Sequence, residues 1–378
     1  MKIGLWGYYG FDNFGDDLIL MTLLDWIQDI NKTAVTHVFI KKNNSEETLP
    51  KNNLVVQEKR SVLNALSKAM SEFDIFIIGG GGIFPSNTST KLLFYYVISV
   101  LMKIRKKSTV CIGVGVEEKN LLHPGNRFLL GKLIKNVDYF VIREEKVCSN
   151  CDIKPIAEES LIIPSADIVF SNDYQITSKN PMLFNIFLAN IFDKNDGLDY
   201  NSFEKVIVNV IKYIIDLGYD VCLIPFTNTK DQYLNDKIAE LVCSEKCKSF
   251  PYSKDTTMII DKIKQGRFSL CMRFHAIVLS TVLCIPMCSI SYGDKSSKLM
   301  KRIGLQNYSF EFGDNNGITD SYINLQYESI IDMVNSIIEN ERTIIEKLGK
   351  QHAALMDESN INKKILRKVM NKYNEDID

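Results

Sequence analysis

Apolar and polar residues come in blocks along this chain, and the blocks change period as they go. Short apolar runs at residues 2–6, 35–41, 54–56, 73–78, 109–116, 138–142 and 162–170 read as buried strands. Between them apolar residues recur every three or four positions, the spacing of a helix face. In the first such stretch Leu18, Ile19, Met21, Leu24, Ile27 and Ile30 share one side. The second half repeats the pattern. A strand at 182–188 leads to a helix at 202–217 whose apolar side holds Val206, Val210, Ile211 and Ile214, and Gly218 closes that helix. A strand at 220–226, helices at 231–243 and 255–264, strands at 268–272 and 287–291, and a helix running to Gly304 follow. Polar, irregular residues at 171–180 separate the halves. Strand and helix alternate in both, so the fold class is α/β, with two Rossmann-like, doubly wound parallel domains. The expected boundaries are 1–172, 181–340 and a helical tail at 341–378.

The longest apolar run, 92–102, is too short to span a bilayer, which takes ~20 residues. It reads as a buried crossover helix. The alternative is a peripheral membrane contact, because Lys103, Arg105, Lys106 and Lys107 follow it and basic clusters beside apolar helices favour anionic lipid.

Composition narrows the function. Hydrophobic residues make up 46% of the 378, enough for sizeable cores, and the formal net charge of −1 argues against a nucleic-acid-binding field. No basic segment leading into an apolar one opens the chain, and the nine Cys are scattered. Both point to reduced thiols and a cytoplasmic protein. Cys148 and Cys151 form a C-x-x-C and Cys243 and Cys247 a C-x-x-x-C. A zinc site shared between them is the alternative to free thiols; no metal or cofactor is expected.

The candidate chemistry sits where strands hand over to helices. After residues 2–6 comes Gly7-Tyr8-Tyr9-Gly10-Phe11-Asp12-Asn13-Phe14-Gly15-Asp16-Asp17. Its glycines allow close backbone approach, but the spacing is not that of the dinucleotide fingerprint. Asp16 and Asp17 at a helix start either cap it or face a ligand. They would repel phosphate, so the loop suits hydroxyls, as acceptor site or general base. The strand at 73–78 ends in Gly79, Gly80, Gly81 and Gly82. Four glycines, each costing up to ~1 kcal/mol relative to Ala, point to close ligand or backbone approach. Arg143 and Glu144 stand at the exit of 138–142. In the second half Arg273 and His275 stand where strand 268–272 meets a helix, the edge at which α/β sheets bind ligands. Arg273 suits a carboxylate or phosphate, or else a core acid; His275 can exchange a proton near neutral pH, or simply fill the helix start. Tyr292 and Lys295 follow the next strand.

Taken in order, the Gly7–Asp17 stretch, the glycine run at Gly79, Val141-Ile142-Arg143-Glu144-Glu145, Arg273-Phe274-His275-Ala276 and Ile290-Ser291-Tyr292 resemble the polysaccharide pyruvyl transferase family. Asp12, Asp17 and Phe274 stand where the family commonly has Gly, Glu and Leu. The resemblance covers roughly residues 1–304. It implies a GT-B-like pair of domains facing a cleft, the first binding acceptor and the second donor. It implies transfer of pyruvyl from phosphoenolpyruvate to hydroxyls of a cell-envelope glycan or lipid-linked sugar, as a ketal. Arg273, His275, Asp16 and Asp17 are then the catalytic candidates, with Gly10, Asn13, Gly15, Gly79–Gly82, Arg143, Glu144, Tyr292 and Lys295 binding substrate. Rival readings on the same fold are a nucleotide-sugar glycosyltransferase and a non-catalytic sugar-binding scaffold.

Overall fold

The computed structural model describes residues 1–41, 54–84, 89–116, 123–143, 162–174, 180–191, 200–311 and 326–373. The chain divides into two compact units, Met1–Asn172 with Leu355–Asp378, and Asp173–Ala354.

The first unit runs β1 (Lys2–Trp6), α1 (Phe14–Ile30), β2 (Val35–Ile40), β3 (Val55–Lys59), α2 (Val62–Ser71), β4 (Ile75–Phe84), α3 (Ser89–Ile104), β5 (Ser108–Val116), α4 (Pro124–Asn136), β6 (Tyr139–Ile142) and β7 (Ile162–Pro164). The strands form one parallel sheet in the order β3-β2-β1-β4-β5-β6-β7. Strand order reverses between β1 and β4, so the exits of these two strands flank the switch point where open α/β sheets bind ligands. Residues of β5 are buried throughout, as continuous apolar strands covered on both faces must be. Trp6, Phe39, Phe73, Phe76, Phe84 and Phe140 fill the core beside them.

Two strands depart from the apolar pattern. β4 does not stop before the glycines: Gly79 to Gly82 are strand residues, and the pairing with β5 slips only between Gly81 and Phe84. Residues 162–170 do not form one strand. Pro164, which has no N–H to give, ends β7, and Asp167 opens a 3₁₀ turn, Ile168–Ser171, its Oδ1 accepting from Val169 N at 3.0 Å.

The second unit runs β8 (Leu183–Phe187), α5 (Tyr200–Asp216), β9 (Asp220–Leu223), α6 (Lys230–Val242), β10 (Cys247–Ser249), α7 (Thr256–Lys264), β11 (Phe268–Cys271), α8 (Phe274–Val282), β12 (Met287–Ser291), α9 (Asp294–Arg302), β13 (Ser309–Glu311), α10 (Tyr327–Glu339) and α11 (Glu341–Asn371). Its parallel sheet has the order β10-β9-β8-β11-β12-β13, with the switch between β8 and β11. β9 stops earlier than its apolar run, because after Ile224 donates to Ile186 O at 2.9 Å the chain reaches Pro225.

The expected tail is one long helix, α11, and it is not separate. Residues through Ala354 belong with the second unit and those from Leu355 with the first. Ser359 Oγ donates to Ile168 O at 3.1 Å, Asn362 Nδ2 to Ser165 Oγ at 2.9 Å, and Tyr373 bonds Ser108 Oγ at 2.9 Å. These buried polar contacts explain the partition, since each side chain there needs a partner within the first unit.

Candidate functional site

At the switch point of the first unit the turn after β1 is built around Asn13. It caps α1, accepting from Gly15 N through Oδ1 at 3.2 Å, while its Nδ2 donates to Asp16 Oδ2 at 2.7 Å. The chain reaches that cap through two left-handed residues, Gly10 (φ +73) and Asp12 (φ +52). Asp12 occupies the position where the resemblance expects glycine, and Asp is among the few side chains that tolerate this conformation. Tyr9 lies wholly buried under the turn, its hydroxyl donating to Gly79 O at 2.7 Å. Burial first, then the Asp16 carboxylate, push the Tyr9 phenol upward against the opposing Arg60 guanidinium, so it stays a proton donor.

The glycine run of β4 meets this turn. Gly80 and Gly81 are left-handed (φ +65 and +80), and a Cβ on Gly80 would lie 2.0 Å from Ile19 Cγ2. A Cβ on Gly81 would lie 2.8 Å from Asp16 Oδ1, so the carboxylate rests directly on the bare backbone of β4. Asp16 is 9% exposed and Asp17 3%. Gly10 N points at Asp17 Oδ1 at 3.5 Å, which places Asp17 on the interior side of the turn. Gly82 is exposed at the end of the run.

Two cations that sequence reasoning passed over complete this edge. Arg60, just beyond β3, lies over the Trp6 ring at 4.3 Å and donates through Nη1 to Gly7 O. Burial pulls its pKa down, and the nearby tyrosines Tyr95, Tyr9 and Tyr8 oppose that. Lys41, just beyond β2, holds its Nζ 4.9 Å from the Phe11 ring, and Tyr8 stacks on Phe11 at 3.9 Å and 9°. Their signal in the sequence was position alone, one residue past each strand.

Arg143 is turned inward. Its Nη1 donates to Asp167 Oδ2 at 2.9 Å and both side chains are buried, so it ties the ends of β6 and β7 together instead of presenting a fork to a ligand. Glu144, Cys148 and Cys151 lie outside the described residues. Cys243 is exposed and Cys247 buried, and among the described residues no group of three or more His, Cys, Asp or Glu gathers to hold a metal.

In the second unit Arg273 is the N-cap residue of α8, and His275 lies on its first turn, edge-on to Phe274 with centroids 5.3 Å apart. The guanidinium already has a partner. Asp231, fully buried at the start of α6, accepts from Arg273 Nε at 3.0 Å and from Nη2. The same carboxylate accepts from Asn190 N at 3.3 Å, Phe226 N at 3.2 Å and Thr227 N at 3.1 Å. One buried acid thus gathers the exits of β8 and β9 and fixes Arg273 beside the exit of β11. Burial would favour a neutral Arg273, but the Asp231 carboxylate and the Tyr292 hydroxyl outweigh it and hold the guanidinium charged. The sequence reading did not single out Asp231, the partner that holds Arg273. Tyr292 is exposed, and Lys295 lies on the first turn of α9.

A family model described as polysaccharide pyruvyl transferase matches residues 13–294. The amylovoran biosynthesis protein AmsJ of Erwinia amylovora is 21% identical over 423 residues, covering 92% of this chain and 98% of that protein. Among solved structures, S. aureus MnaA with UDP aligns at TM-score 0.62 and 12% identity over 99% of this chain and 96% of that one. HepE of Anabaena with UDP aligns at 0.58 and 11% identity over 98% and 100%. The UDP-GlcNAc 2-epimerase of Methanocaldococcus jannaschii aligns at 0.54 and 12% identity over 89% and 93%. At such identities the likeness speaks for the fold, which is α/β and GT-B-like.

Proposed function

The chain belongs to the polysaccharide pyruvyl transferase family, a transferase of glycan biosynthesis, and from that premise we propose that it moves the pyruvyl group of phosphoenolpyruvate onto hydroxyls of a cell-envelope glycan or its lipid-linked precursor, forming a ketal and releasing phosphate. The observation that carries the reading is the meeting of Asn13, Asp16 and the bare backbone at Gly81 beside one switch point. In this reading that edge receives a hydroxyl, and the carboxylate takes its proton.

The donor carries a carboxylate and a phosphate, and charge-assisted hydrogen bonds to such groups are worth about 1.5–3 kcal/mol each. Arg273 binds it in this reading, with one qualification from its ion pair. Asp231 cancels much of the guanidinium's charge, so Arg273 contributes aimed N–H groups more than net potential. The positive potential comes from the N-terminus of α8 and from Lys295. His275 protonates the methylene carbon of the donor, and an oxocarbenium-like centre forms at the neighbouring carbon. A sugar hydroxyl adds there, and a carboxylate takes its proton. A second hydroxyl displaces phosphate, which leaves with the remaining proton, and the ketal closes. Asp16 is preferred to Asp17 as base because Asp17 is the more deeply buried and faces the Gly10 amide. Positioned acid and base groups of this kind contribute ~10²–10⁴ each. The exposed Tyr8 ring, stacked on Phe11 with Lys41 beside it, offers the acceptor an apolar face and a cation.

Incubation with phosphoenolpyruvate and candidate lipid-linked glycans tests the proposal. Phosphate release together with a pyruvate-sized mass gain on the glycan supports it. Thermal protection by a nucleoside diphosphate but not by phosphoenolpyruvate, with no phosphate released, overturns it in favour of a nucleotide-sugar transferase.

A further inference from the structure

The helices α2, α3 and α4 of the first unit lie side by side, with α3 between the other two. Their outward surface has two features. It is apolar where a solvated helix layer is polar. On α3 the residues Leu93, Val97, Val100 and Ile104 recur at spacings of four, three and four, which puts them on one face away from the sheet. Leu93 and Ile104 are exposed, as are Leu63 and Met70 on α2 and Phe128 on α4; Leu63 and Ile104 stand 77% and 74% in solvent.

The layer is also of one charge. The three helices carry Lys68, Lys91, Lys103, Arg127, Lys132 and Lys135 and not one Asp or Glu, in a chain whose acids outnumber its bases, 46 to 45. The carboxylates at their ends are already engaged. Glu72 faces Lys68 at 3.7 Å, Asp74 pairs with Lys107 at 2.7 Å, and Asp138 caps Thr109 N at 2.9 Å. Part of the basic stretch after α3 is spent internally too, since Arg105 donates to Ala69 O and Phe73 O, both at 2.9 Å. Lys91, Lys103, Lys106, Lys132 and Lys135 remain exposed.

We propose that the α2–α3–α4 layer is a docking face for an anionic membrane surface, its leucine, isoleucine, methionine and phenylalanine side chains entering the headgroup boundary and its lysines meeting lipid phosphate. A polyanion such as nucleic acid would be served by the lysines and gains nothing from Leu63, Met70 or Ile104, whereas a bilayer uses both. No helix among the described residues is long and apolar enough to cross a membrane, so the contact is peripheral. The face is distinct from the switch-point residues, and the inference does not depend on the pyruvyl chemistry.

Co-sedimentation tests it, with the full chain and vesicles of phosphatidylcholine alone or mixed with phosphatidylglycerol. Binding to the mixed vesicles that weakens with salt, and little to the neutral ones, is the expected result. A Lys103→Gln, Lys132→Gln, Lys135→Gln triple variant loses about fivefold per lysine, on the order of 10²-fold in all. Leu63→Asp with Ile104→Asp removes binding while the melting temperature holds. Phe128→Trp emission shifts to the blue on vesicles, since both native Trp residues are buried. No binding to mixed vesicles at low salt overturns the proposal. So does binding that survives the Asp variants but is lost on adding heparin, which assigns the lysines to a polyanion. Vesicle binding lost in the Asp variants with turnover on a water-soluble acceptor retained separates this face from the active site.

Discussion

Replacing Asp231 with Ala probes the acid that ties the exits of β8 and β9 to Arg273. The carboxylate is fully buried and accepts from three backbone amides and from Arg273. Breaking a buried ion pair by removing one partner costs about 3–5 kcal/mol. Two features pull the figure to the low end. The Arg273 side chain is 21% exposed, so it can turn toward water once released. The three amide contacts are long, at 3.1–3.3 Å, and a water can replace them in part. The expected loss is about 3 kcal/mol. Asp231→Asn keeps the shape but sets an amide N–H against the guanidinium, so it loses about 1.5–3 kcal/mol, the worth of a hydrogen bond to a charged group. Urea unfolding of Asp231→Ala, Arg273→Ala and the double variant measures the pair's coupling, and the double variant should be little worse than the worse single one. Donor KM supplies the functional readout: Asp231→Asn and Arg273→Lys both raise it, the first by freeing the guanidinium and the second by removing the fork. Wild-type urea midpoint and wild-type KM in Asp231→Asn would refute the idea that this acid sets the position of Arg273.

Gly80→Ala forces a side chain into a left-handed residue, costing about 1–2 kcal/mol, and onto Ile19 at 2.0 Å; a thermal melt unchanged from wild type would show that β4 relaxes freely. Gly81→Ala adds a Cβ 2.8 Å from Asp16 Oδ1, so it should lower kcat more than Gly80→Ala does for the same loss of stability. Asp167→Ala strands Arg143 in the interior and should cost about 3–5 kcal/mol in urea unfolding while leaving both substrate KM values alone; a selective rise in either KM would return Arg143 to the binding site. Glu58 bonds Lys68 at 2.7 Å and His37 at 2.8 Å. Burial would raise its pKa, but the Lys68, His37 and Asn64 bonds hold it below its ordinary 4.5. That contribution is complete above pH 4.5 and fades as pH falls through the lower folded value, so the stability gap between wild type and Glu58→Gln should close in acid below 4.5. A gap that stays constant from neutral pH to pH ~3 would contradict the assignment.

Strands were legible wherever apolar runs were continuous, because parallel sheets bury both faces and leave no alternation to misread. Their ends were less so. The glycines of β4 look like a stop, since they carry no side chain to pack, yet strand pairing needs only backbone, and Tyr9 and Asp16 cover it from the other turn. Residues 162–170 look like one strand because Pro164 and Asp167 are minor interruptions in an apolar run. For the site, the turn at Asn13 and the Arg273–His275 turn could be read because each is local. Asp231 could not: its partner lies 42 residues away, and an acid in a first helical turn is ordinarily a cap. Arg143 misled for the same reason, its partner Asp167 being 24 residues on.

Helix α11 has a consequence for how the molecule is made. The residues that bond Ile168, Ser165 and Ser108 are synthesised after the entire second unit. Domains usually fold in the order in which they leave the ribosome. Here the unit begun first is finished last, so a nascent chain holds an incomplete β1–β7 half until the codons beyond 355 are read. A premature stop in that stretch therefore damages the earliest-translated part of the protein and spares the later one.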